Sequence, residues 1–222
     1  MDKNKKLVLI AQLLFLAFLI TSCNCNSDKS DGSLKAISDQ EFLKIIPAGN
    51  NNQHYFTYVL TQEYTRELGL NIIENGFDSL FFRIWFFYKY KNQVLDFKRK
   101  NGTWSAELHN FQVREDIVEY KQIVVKLNSV NITPKSGWDS FINKTISLGI
   151  LTLPDDSELP GYYINVPTHA DFVVVEIADN KKYRIYSYSL PGWFPEIKEA
   201  KAMEDIMKLI EQEFGIKRGE RF

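Results

Sequence analysis

Between Ser79 and Lys91, apolar side chains stand on both sides of an alternating segment. Leu80, Phe82, Ile84, Phe86, Tyr88 and Tyr90 share one face, and Phe81, Arg83, Trp85 and Phe87 share the other. Period-two spacing predicts a strand, and two apolar faces predict a central one covered on both sides. Downstream, Asn101-Gly102 suits a type I′ hairpin turn. Counting outward from it pairs Arg99 with Trp104, Phe97 with Ala106 and Leu95 with Leu108. The apolar residues of both strands then fall on one face, an arrangement that a slip of one residue would destroy. A cation–π contact between Arg99 and Trp104 is expected at the turn end.

The remaining pattern fills in the elements. Ser38 with Glu41, then Phe42, Ile45, Ile46 and Pro47, predicts a capped N-terminal helix stopped by proline. Tyr55 to Tyr64 alternates as a strand would, and Val118 to Val130 predicts another strand. Trp138, Phe141, Ile142, Thr145 and Ile146 mark a mid-chain helix over Gly137 to Leu148, and Pro154 to Pro160 reads as a loop. Phe172–Ile177 and Tyr183–Leu190 predict a second hairpin turning at Asp179–Lys182. A long C-terminal helix follows Pro195, with Ile197, Ala200, Met203, Met207, Ile210 and Phe214 on one stripe and Gly215 closing it. The predicted class is α+β: a mainly antiparallel sheet with an N-terminal helix, a mid-chain helix and a long C-terminal helix.

The first residues follow different rules. Lys3, Lys5 and Lys6 precede an apolar run from Leu7 to Ile20 broken only by Gln12, too short to span a bilayer as a helix. Ile20, Thr21, Ser22 and Cys23 follow. An aliphatic residue, two small residues and a cysteine in this order resemble the lipobox of bacterial lipoproteins read by signal peptidase II. The resemblance implies cleavage between Ser22 and Cys23, with lipid (diacylglycerol, then palmitate or a similar acyl chain) on Cys23. Two or more chains hold a protein stably, at about 0.8 kcal/mol per buried methylene. Asn24 at the next position, where aspartate favours inner-membrane retention, points to the outer membrane, facing the periplasm or the outside. The stretches Leu80–Phe87, Asn101–Leu108 and Lys182–Pro191 are similar to hypothetical Gram-negative envelope lipoproteins, a resemblance that assigns no residue roles.

Residues 24 to about 35 have almost no apolar content and form a flexible leash with an r.m.s. reach of about 20 Å. The expected organisation is a signal peptide over 1–22, lipidated cysteine and tether over 23–35, and one α+β domain over 36–222, with possible subdomains 36–133 and 134–222. Removing the signal takes three Lys and one Asp from 27 basic and 28 acidic residues, which leaves a net charge near −3. The basic clusters Lys98–Lys100, Lys181–Lys182 and Lys217–Arg218 are short and separate, so no nucleic-acid partner is expected. With Cys23 lipidated only Cys25 remains, and no disulfide can form within the domain.

Catalytic signatures are absent. His54, His109 and His169 sit outside any H-x-x-x-H or C-x-x-C context, and each is expected on a loop or surface. No G-x-S-x-G elbow or phosphate-cradling glycine loop occurs. Asp155, Asp156 and Glu158 could offer oxygens to calcium, but a solvated turn is the preferred reading. No catalytic residue, metal site or cofactor is therefore assigned.

Arg83, amid Phe81, Phe82, Ile84 and Trp85, must snorkel, pair with a carboxylate such as Glu107 or Glu176, or line a ligand groove. Aromatics make up 14% of the chain. Those near turns (Trp104, Tyr162, Tyr163, Tyr186, Tyr188 and Trp193) are either core rings or platforms for a protein or glycan partner. Arg83, Trp104 and Trp193 are thus the candidate binding residues. The sequence favours a non-catalytic, membrane-anchored binding or accessory domain of the envelope. The alternatives are an envelope hydrolase acting on glycan or peptidoglycan, and an immunity or inhibitor lipoprotein.

Overall fold

A computed structural model describes residues 41–48, 53–88, 91–116, 121–162 and 170–216, all within one compact unit, Gln40–Phe222. The expected signal, Ser22–Cys23 cleavage site and tether fall on residues 1–35, outside the described residues. Among the described residues, no helix is long and apolar enough to cross a membrane.

Among the described residues the architecture is α+β, with one seven-stranded, mostly antiparallel sheet and three α-helices. The strands are β1 (Leu43–Ile45), β2 (Phe81–Tyr88), β3 (Lys91–Lys100), β4 (Thr103–Asp116), β5 (Lys121–Ile132), β6 (Phe172–Ala178) and β7 (Lys182–Ser189). They lie in the order β1-β7-β6-β2-β3-β4-β5, so the sheet draws on both halves of the chain. The helices are α1 (Gln53–Glu67), α2 (Trp138–Ser147) and α3 (Lys198–Phe214).

β2 is central, as its two apolar faces require: every one of its side chains is buried, and it pairs antiparallel with both β3 and β6. Its even-numbered residues join Leu95, Phe97, Ala106 and Leu108 in a layer against α2 and α3, where Phe141 lies 5.5 Å from Phe97 and 5.0 Å from Phe214. Its odd-numbered residues Phe81, Trp85 and Phe87 pack with Val94, Phe111, Tyr64 and Leu68 beneath α1. Each large apolar side chain so buried contributes about 1.5–3 kcal/mol. The β3–β4 hairpin has the expected register, pairing Leu95 with Leu108, Phe97 with Ala106 and Arg99 with Trp104. Its turn residues Asn101 and Gly102 both take positive φ, 51° and 80°, as a type I′ turn demands. The β6–β7 hairpin, α2 and α3 also form where the pattern places them, and Gly215 closes α3 at φ 67°.

Two of the expected secondary-structure elements fail, and both lie before β2. Leu43–Ile45 of the expected N-terminal helix is a strand, paired in parallel with Lys182–Arg184. Ser38 lies outside the described residues. Phe42 and Ile46 do face the core together, but a spacing of four serves an extended chain as well as a helix. The strand expected over Tyr55–Tyr64 is instead helix α1. Its buried side chains are Thr57, Thr61, Gln62, Tyr64 and Thr65, a set that is mostly polar, while Phe56 is exposed. The apolar alternation of Phe56, Tyr58, Leu60 and Tyr64 is therefore coincidental, since the helix turns Phe56 to solvent and Tyr64 to the core.

Candidate functional site

Strand register lines up a row of polar side chains beneath α1. Glu176 on β6 faces Arg83 on β2, Arg83 faces Asp96 on β3, Asp96 faces Glu107 on β4, and Glu107 faces Asn131 on β5. Directly opposed residues on one sheet face sit within side-chain contact, so the row forms a ladder across five strands.

At its centre Arg83 is fully buried. Its Nε and Nη2 donate to the two oxygens of Asp96 at 2.6 and 2.9 Å. Nη1 donates to Thr65 Oγ1 at 3.1 Å, and Nη2 donates also to the carbonyl of Asn71 at 3.1 Å. Burial works to lower its pKa, but the Asp96 carboxylate, its hydrogen bonds and Glu176 outweigh that and raise it. Glu176 is equally buried, accepting from Trp85 Nε1 at 2.6 Å, Tyr183 OH at 2.8 Å and Gln62 Nε2 at 3.3 Å. The guanidinium is thus a structural member of a buried network. Its principal partner is Asp96; Glu176 stands 3.8 Å away.

The ladder opens to solvent at its far end. α1 ends at Glu67, whose Oε2 accepts from Val124 N at 3.0 Å where the β4–β5 register shifts. Between the turn Leu68–Asn71 and the strands remains a cleft of ≈ 220 Å³, floored by Asp96, Glu107, His109 and Ser129. His109, expected at a surface, is only 5% exposed, because it lies inside β4 opposite Val94 and Ser129 and not at the strand's end. Its Nδ1 stands 2.7 Å from Ser129 Oγ. Nε2 is buried with no hydrogen-bond partner among the described residues; Glu107 Oε2 is 3.8 Å away. Burial, aided by the charges of Arg83 and Lys98, lowers the His109 pKa against the pull of Asp96 and Glu107 and so favours the neutral ring. Among the described residues no group of three or more His, Cys, Asp and Glu could hold a metal ion.

The candidate binding residues are not brought together. Trp104 lies on the opposite sheet face from Arg83, half-buried against Phe82 at 5.7 Å, and Trp193 is 60% exposed in the turn Pro191–Trp193. Tyr162, Tyr186 and Tyr188 are core rings. Tyr163, His169 and the side chain of His54 lie outside the described residues.

Asp155 and Asp156 are buried, not solvated. Asp155 Oδ2 accepts from Ser187 N at 2.8 Å and Asp156 Oδ2 from Ser189 N at 2.9 Å, so they satisfy backbone donors of β7 that no strand reaches.

Sequence reasoning named Glu107 and His109 singly but missed the site. The hairpin register alone puts Asp96 beside Glu107 and Val94 beside His109, which was the signal available. No family model, curated protein or solved structure matches the chain.

Proposed function

We propose that the protein is a bacterial envelope lipoprotein, held on a membrane by lipid on Cys23, whose folded part is a non-catalytic binding module for a protein or glycan. The cleft floored by Asp96, Glu107, His109 and Ser129 is its contact site. The observation that carries this reading is His109: a buried polar ring whose Nε2 lacks a hydrogen-bond partner, set in the wall of an open polar cleft. Such a group costs about 1–3 kcal/mol when left unmet, which a bound partner would recover. The anchor rests on the run from Lys3 to Cys23, and Asn24 favours the outer membrane.

The test has two arms. Radioactive palmitate should label the wild type and not Cys23→Ser. A photo-crosslinking residue at Leu127, exposed on β5 two residues from Ser129, should capture a partner in native membranes, and the same residue at Asn180 in the β6–β7 turn should not. Equal capture from both positions overturns the assignment of the site.

Hydrolysis is a second reading, favoured by the contact between Ser129 Oγ and His109 Nδ1. A serine nucleophile needs its base oriented by a third group, and Glu107 at 3.8 Å is too distant to hydrogen-bond the ring. Covalent labelling of Ser129 by a fluorophosphonate, lost in His109→Gln, would establish the hydrolase and displace the binding module.

A further inference from the structure

Resting on that binding reading, we infer that the cleft takes a primary ammonium group, whose N–H donors bridge His109 Nε2 and the Glu107 carboxylate. Charge, geometry and size converge on this ligand. Along the ladder three carboxylates face one guanidinium. Arg83 is committed to Asp96, Thr65 and Asn71, and Glu176 is filled by Trp85, Tyr183 and Gln62. Glu107 receives no hydrogen bond from the described residues, and Lys98, on the same sheet face, makes no ion pair with it. The nearest group that could carry positive charge is His109 itself, at 3.8 Å. At the open end of the ladder Glu107 therefore has no lysine or arginine in ion-pair contact, although Lys98 lies near enough to act on His109 through space.

The gap between Nε2 and the carboxylate sets the geometry. At 3.8 Å it is too wide for a direct hydrogen bond, yet one nitrogen about 2.8 Å from each atom spans it. When Nδ1–H donates to Ser129, Nε2 is an acceptor facing a second acceptor, and the space between them needs a donor. Nε2 is shielded from solvent, and Glu107, a third exposed, is the side chain that turns to admit the ligand.

An anion is repelled by Glu107. A divalent metal finds only His109 and Glu107, since Arg83 occupies both oxygens of Asp96. A volume of ≈ 220 Å³ is below the roughly 300–1,000 Å³ of drug-sized sites, so it holds a head group and a short stem. Leu68 and Leu70, which line the cleft, offer apolar surface to that stem. A lysine side chain and a free small amine share this chemistry.

The test is NMR of the full-length protein labelled with ¹⁵N-histidine, with His109 assigned by comparison with His109→Gln. Methylammonium chloride and N-acetyl-lysine methylamide are the probes; tetramethylammonium and acetate at matched ionic strength are the controls. The expected result is a saturable shift of the His109 ring nitrogens toward the tautomer protonated at Nδ1, with affinity about tenfold weaker in Glu107→Gln. Saturation by both probes identifies a free amine as sufficient, and saturation by the blocked lysine alone identifies a lysine-bearing chain. Tetramethylammonium acting as well as methylammonium, Glu107→Gln binding like the wild type, or zinc chloride displacing both amines overturns the inference. If neither amine moves His109 while the Leu127 cross-links persist, this inference falls and the binding module stands.

Discussion

Replacing Asp96 with alanine strips Arg83 of its bidentate partner while leaving the guanidinium sealed beneath α1. Two of its four direct hydrogen bonds vanish, those at 2.6 and 2.9 Å, and what remains is Thr65, the Asn71 carbonyl and Glu176 at 3.8 Å. Removing one member of a buried pair costs about 3–5 kcal/mol, because the other charge stays buried. At about 2–4 °C per kcal/mol for a fold of this size, the melting temperature should fall by roughly 6–20 °C. Arg83→Met should cost at least as much, since it leaves both Asp96 and Glu176 without their cation. The double variant Arg83→Met/Asp96→Ala should be less unstable than the two single costs added, with a coupling energy of about 2 kcal/mol. Urea unfolding of all four proteins completes the cycle. An Asp96→Ala protein within about 1 kcal/mol of wild type, or strict additivity, would refute the claim that the pair is held together by burial.

Three further outcomes follow from geometry given above. Burial holds the His109 pKa below its usual 6.5, against Asp96 and Glu107, so the unfolded chain takes up a proton there that the fold resists. Stability therefore falls as pH drops through that value, and His109→Gln should shrink the loss between about pH 7.5 and about pH 5.5 in urea titrations; an unchanged loss contradicts the assignment. Asp155→Ala leaves Ser187 N without its acceptor, which costs about 1–3 kcal/mol and speeds exchange of the Ser187 amide but not that of Ser189, still held by Asp156. Gly76→Ala would place a Cβ 2.9 Å from the Phe42 ring and 3.2 Å from the Asp179 carbonyl at φ 101°, costing about 1–3 kcal/mol. Gly102→Ala, strained only in its backbone at φ 80° with open space around it, should cost less in the same thermal melts.

How far the chain could be read tracks where its patterns come from. β2 and the hairpin were legible because period-two apolarity and Asn101-Gly102 are local signals that agree with the final packing. α1 was illegible because the face it buries is polar. Thr61 and Thr65 are sealed in place, and Thr65 and Gln62 serve the Arg83–Glu176 network, so hydrophobicity carries no 3.6-residue period there. Local alternation then mimicked a strand. β1 is three residues long and exists through pairing with β7, a partner some 140 positions away in the chain that no nearby residue announces. The cleft follows the same logic. Asp96, Glu107 and Ser129 come from three strands and meet through register, while His109 looked superficial when counted from the hairpin's end. Arg83 stands out by its apolar neighbours, and Glu176, one of the two carboxylates the sequence offers it, does lie 3.8 Å away, but its principal partner Asp96 comes from a strand pairing that the local pattern does not announce.

The parallel strand β1 has a mechanical consequence. Any pull transmitted along the N-terminal segment enters the described fold at Leu43–Ile45, three residues whose side chains are all exposed and whose backbone grips β7 alone. Under load this short seam peels first, while β2, gripped on both flanks, keeps its shape. Once it yields, the load passes next to α1, whose trailing turn Leu68–Asn71 walls the cleft, so a tug at the leading end would reach the site through the helix and not across the sheet.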